Sequence, residues 1–179
     1  MTAIRLALAC ALLGSSGSVA VAAQPQVVFV VRHAERPTPI PAPAAAGGER
    51  PMGSAADDPP LSDAGQARAV RLEAMLRSAD ILQVFVSEFL RTRQTAAPTA
   101  AARSLEVVAV PAKDVDALVA QIREAKGNVL VVGHANTVPD LLKRLGIKDD
   151  ITIADGEYDN LFVVIRPSSG EPTLVRLRY

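Results

Sequence analysis

Five consecutive apolar residues, Val27, Val28, Phe29, Val30 and Val31, leave no polar side that a strand could turn to water. Such a strand is covered on both faces, the condition of a parallel sheet packed between helices. Comparable runs recur at 81–86, 105–110, 129–132 and 161–165, and an alternating segment at 173–178 reads as an edge strand. Helical patterns lie between them. Ser62 is a natural N-cap for a first helix carrying Ala67, Val70, Leu72, Met75 and Leu76 and running to about Ala79. A second covers 90–103, with Pro98 expected to kink it or remove a hydrogen bond. A third covers 114–125, and a short fourth covers about 138–145 before Gly146 as its C-terminal stop. Strand then helix, repeated, predicts an α/β domain: a three-layer αβα sandwich with a mostly parallel central sheet.

The chain has 179 residues, enough for one ordinary domain, which we place at 24–179. Lys+Arg and Asp+Glu are equal at 19 each, so no basic field exists to gather phosphate backbones, and nucleic acid is excluded as a partner. Residues 1–23 read as a secretory signal: Arg5, an apolar run over 6–13, then small residues through Ala23. That run is too short to span a bilayer, so no stable membrane span is expected once the leader is removed. Its removal takes away Cys10, the single cysteine, and leaves an exported, periplasmic or secreted product without disulfide, zinc-thiolate site or cysteine nucleophile. One segment breaks the rhythm. Residues 37–60 hold seven of the 13 prolines, which reads as a long inserted loop near a site.

The chain has two histidines, and each sits immediately beyond a buried-strand pattern: His33 after Val31 and Arg32, His134 after Val132 and Gly133. In open α/β sheets ligands bind at the carboxyl ends of strands, so both imidazoles can face one crevice. A third strand end is followed by Arg91 and Arg93. Arg32, Arg91 and, as a further candidate, Arg93 would make that crevice cationic, and a guanidinium fork suits two oxygens of a phosphoryl or carboxylate group. A neutral imidazole can attack phosphorus, and flanking guanidiniums can stabilise the equatorial oxygens, so no cofactor is demanded. A metal is not expected: two histidines beside arginines make a poor cation site.

The pattern Arg32, His33, Ala34, Glu35, then Leu61 to Ala67 (LSDAGQA), Ser87 to Ala96 (SEFLRTRQTA) and Gly133, His134 resembles the histidine phosphatase superfamily, also called the phosphoglycerate mutase-like family. The resemblance implies that fold, a catalytic His33 accepting phosphate, and Arg32, Arg91 and His134 as phosphate-binding residues. It implies hydrolysis of phosphomonoesters or phosphohistidine through a phosphohistidine intermediate, on a small-molecule phosphoester or phosphorylated substrate. Alternatives are a non-catalytic phospholigand-binding module and a phosphomutase. Ala34 stands where the family commonly has Gly, and Glu88 where it commonly has Pro. The family glutamate acid downstream of the third strand has no counterpart here. The proton donor therefore stays open among Glu35, Glu88, Asp114 and Glu157.

Overall fold

Burial along the strands has the two-sided form expected of covered sheet. In the first, Val28 and Val30 are fully buried on one face and Val31 on the other. The computed structural model describes residues 24–37 and 58–179; the expected leader with Cys10, and most of the proline-rich segment, lie outside the described residues. The elements in chain order are β1 (Gln26–Arg32), α1 (Asp63–Leu76), β2 (Ile81–Val86), α2 (Leu90–Ala101), β3 (Val107–Ala109), α3 (Val115–Glu124), β4 (Asn128–Gly133), α4 (Thr137–Arg144), β5 (Asn160–Arg166) and β6 (Thr173–Arg178).

The six strands form one sheet in the order β3-β2-β4-β1-β5-β6. β3, β2, β4 and β1 run parallel, while β5 and β6 return antiparallel, with β6 at the edge. Leu72 and Leu76 of α1 and Ala96 and Ala100 of α2 pack with Val31, Val84, Val86, Leu130 and Val132 on one face. On the other, Val119 and Ile122 of α3 and Val138, Leu141 and Leu142 of α4 pack with Val28, Val30, Phe85, Val129 and Val131. This is the three-layer αβα sandwich.

Where boundaries differ from the sequence reading, local hydrogen bonding explains the change. β3 is three residues long rather than six because Leu105 is spent on ending α2: its N–H donates to Ala100 O (3.0 Å), across a turn that puts Ser104 at φ 53°. α2 runs through Pro98, which lies in its last turns and costs the hydrogen bond that its missing N–H would have made. Ser62 caps α1, accepting from Gly65 N at 3.2 Å. Gly146 stands at φ 96° just past α4, where a side chain would be strained.

One contact fastens the chain after β1 to this scaffold. Ser62 N donates to Glu35 O (2.9 Å), and a Cβ on Gly65 would fall 2.2 Å from that same oxygen. Only glycine lets the first turn of α1 lie so close to the loop that follows His33.

Candidate active site

Parallel pairing sets the site. Arg32 is opposite Gly133, and Val86 is opposite Val132, so β1 and β4 end level at their carboxyl ends and β2 ends one residue earlier beside them. The next residue on each strand is His33, His134 and Ser87, with His134 in the middle. Neighbouring strands are about 4.8 Å apart, and the two imidazole centroids are 5.3 Å apart at 63°. His33 N–H donates to Gly133 O (2.9 Å), carrying the pairing one residue beyond β1.

His33 is 5% exposed, and its Nδ1 lies 2.8 Å from Ala34 O. A carbonyl oxygen only accepts, so Nδ1 carries the hydrogen and Nε2 keeps its lone pair. Ala34 N in turn donates to Thr95 Oγ1 (2.9 Å), which fixes the carbonyl's own residue against α2. The pKa of His33 is pushed down to about 4, chiefly by burial, with the charges of His134, Arg91 and Arg32 adding to it and the Ala34 bond opposing. His134 is likewise pushed down to about 4 by burial first, then by Arg91 and Arg32. Both rings are neutral near pH 7.

His134 Nε2 meets Ser87 Oγ at 2.8 Å, and Ser87 Oγ meets Thr92 Oγ1 at 3.0 Å. Thr92 Oγ1 donates to Phe89 O (2.7 Å), so a buried hydroxyl pair joins the end of β2 to α2 and holds the ring. Phe89 stands edge-on to His134, centroids 5.2 Å apart, and Arg91 lies 4.2 Å over the Phe89 ring. Arg91 also pairs with Asp58 (3.2 Å), whose other oxygen accepts from Leu90 N (2.7 Å) and caps α2. Phe89, the N-cap residue itself, makes no side-chain cap.

Arg32 is held from the far side. Its Nη1 donates to Ala154 O and Asp155 O (2.8 and 2.9 Å), and its guanidinium lies 4.2 Å over the Tyr158 ring. The buried Nε atoms of Arg32 and Arg91 have no partner among the described residues. Two guanidiniums with donors to spare, on either side of two neutral imidazoles, fit an oxygen-rich anion.

Arg32, His33, Arg91 and His134 line one open cleft of about 530 Å³ together with Glu88, Phe89, Ala112, Lys113, Ala135, Asn136 and Thr137. Arg93 is exposed and does not line it. Of the four carboxylates left open by the sequence, only Glu88 reaches the cleft. Glu35 is forked by Arg68, with contacts of 2.6 to 2.9 Å; burial works to raise its pKa, but these bonds and charges outweigh it and hold the carboxyl below its ordinary range. Asp114 caps α3 through Ala117 N (3.0 Å), and Glu157 accepts from Ala154 N and pairs with Arg178. Among the described residues, no group of three or more His, Cys, Asp or Glu is placed to hold a metal ion.

Sequence reasoning assigned no part to Tyr158, Asp58 or Lys113. Tyr158 had one available signal: the chain has six Phe and Tyr in all, and one of its two tyrosines precedes β5, which pairs with β1. Asp58 and Lys113 sit in loops without periodicity, and no local pattern marks them.

No helix among the described residues is long and apolar enough to cross a membrane. Comparison with curated protein sequences returns no match. The fold is similar to the protein histidine phosphatase SixA, solved with tungstate, at 23% identity and TM-score 0.63, covering 85% of this chain and 96% of that one. It is also similar to the alpha-ribazole phosphatase of Shigella flexneri (16%, 0.62, 86% and 96%) and to the phosphoglycerate mutase of Plasmodium falciparum (13%, 0.55, 86% and 91%). Residues 28–112, just under half the chain, match the family model of the histidine phosphatase superfamily (branch 1).

Proposed function

We propose that this chain is a histidine phosphatase superfamily hydrolase that cleaves phosphomonoesters or phosphohistidine through a covalent phosphohistidine at His33. The observation that carries this reading is the His33 Nδ1 to Ala34 O hydrogen bond, which leaves Nε2 unprotonated in a cleft shared with Arg32, Arg91 and His134. Nε2 attacks phosphorus, and the three flanking donors hold the equatorial oxygens as charge spreads over them. Water then attacks the phosphohistidine and returns the free imidazole. Two guanidiniums repel a cation from this place, so the reaction is proposed without a metal.

The substrate is a small phosphorylated molecule or a phosphorylated side chain that fits an open cleft. Export through residues 1–23 belongs to the same proposal, supported by the basic, apolar and small-residue order of that segment. Mass spectrometry of the mature N-terminus after expression in a secreting bacterium tests it, and an intact Met1 start would contradict it. For the activity, the test is hydrolysis of an aryl phosphate by the wild type and by His33→Ala. Turnover by the wild type and its loss in the variant are expected; equal turnover in both refutes the assignment. Tight phosphate binding without any turnover would instead favour a phospholigand-binding module.

A further inference from the structure

A phosphoester with an alkoxide leaving group needs a proton on the departing oxygen, and neither guanidinium nor neutral Nε2 supplies one. We infer that Glu88 is the proton donor, resting on the phosphatase reading above. Among the described residues it is the one carboxylate that lines the cleft. Other nearby carboxylates are committed elsewhere: Glu35 to Arg68, Asp114 to the start of α3, Glu157 to Arg178 and Ala154 N, Asp58 to Arg91 and Leu90 N.

Position favours Glu88 as well. Its two chain neighbours are tied to His134, Ser87 by a hydrogen bond and Phe89 by ring contact, so its backbone is fixed relative to the imidazoles. Its Oε2 accepts from Ala112 N (2.8 Å), which anchors the side chain against the loop after β3 at the cleft wall. Oε1 makes no hydrogen bond to the described residues and is the oxygen available to a leaving group. The residue is exposed, so substrate and solvent both reach it.

The step balances as follows. The Nε2 lone pair forms the P–N bond while the P–O bond to the leaving group breaks, and the proton on Glu88 goes to the departing oxygen, giving the alcohol. The carboxylate then takes a proton from the water that attacks phosphorus. The P–N electrons return to Nε2, releasing phosphate with Glu88 protonated again.

A merely structural role would slow all substrates alike, whereas loss of a proton donor penalises poor leaving groups. The experiment measures kcat/KM of the wild type, Glu88→Gln, Glu88→Ala and Glu88→Asp on substituted phenyl phosphates and an alkyl phosphate. Phosphoenzyme formation from phosphoramidate is followed in parallel. The expected result is a loss of about 100-fold or more on the alkyl phosphate for Gln and Ala, a loss of about threefold or less on the most activated aryl ester, and partial recovery with Asp. Uniform loss across the series, or none, overturns the assignment to Glu88 while the phosphoenzyme still forms. Absence of phosphoenzyme in the wild type overturns the underlying phosphatase reading instead.

Discussion

The parallel half of the sheet and its antiparallel half serve the site in different ways. β1, β4 and β2 deliver His33, His134 and Ser87 directly, each as the first residue past a strand whose register with its neighbour is fixed by backbone pairing. β5 and β6 deliver no cleft residue. The loop entering β5 instead clamps Arg32 from behind, through the Ala154 and Asp155 carbonyls and the Tyr158 ring. His33 and His134 line the cleft, with Ser87 holding the His134 ring, whereas the clamp residues aim an arginine that lines it. Substitutions in the parallel half should therefore weaken transition-state stabilisation strongly, and those in the clamp modestly.

The largest contrast is expected from Arg91→Ala, which removes a guanidinium from the anion pocket. Its kcat/KM on an aryl phosphate should fall by about 100- to 1,000-fold, as for loss of one preorganised donor. Ser87→Ala removes the hydroxyl that holds His134 Nε2 and should cost about tenfold, the scale of one hydrogen bond. Tyr158→Leu keeps apolar bulk but loses the face under Arg32, for a loss of about fivefold. Steady-state kinetics on the three variants check the ranking, and a Tyr158 effect exceeding that of Arg91 would break the proposed division between halves.

Acid dependence gives the smallest effect and sharpens the same picture. Because burial lowers both imidazoles to about 4, the acid limb of kcat/KM should lie near pH 4 rather than near the ordinary histidine value of about 6.5. Stability follows with a definite sign. Between pH 4 and about 6.5 the unfolded chain binds protons that the folded rings refuse, so the histidine contribution is full above 6.5 and is lost as pH falls toward 4. Urea midpoints across that range should show a shallower decline in His134→Gln than in the wild type; an equal slope would contradict the burial argument.

These two halves also differ in what the sequence made legible. Unbroken apolar runs announced covered strands, and a strand that ends in a polar residue announces what it presents, so His33, His134 and Arg32 could be named and Ser62 could be placed as a cap. Arg91 was legible through the Ser87-to-Ala96 motif, while the structure sends its neighbour Arg93 to solvent. The alternation of β6 marked an edge, and the structure puts it there. β3 was overestimated because the apolar side chain of Leu105 cannot show that its N–H is already committed to closing α2. Asp58, Lys113 and Tyr158 were illegible for a common reason: each reaches the site from a loop, and loop residues are placed by tertiary contacts rather than by period. Glu88 stood in between, flagged as an acid candidate but separable from Glu35, Asp114 and Glu157 only once their partners were seen.

The central claim is that Nε2 of His33 bonds covalently to phosphorus during turnover, and trapping tests it most directly. Mixing the protein with an activated aryl phosphate, quenching in alkali and mapping the phosphate by mass spectrometry should place an acid-labile, base-stable group on His33. Turnover with phosphate found on another side chain, or with none found on the protein at any quench time, would contradict the account.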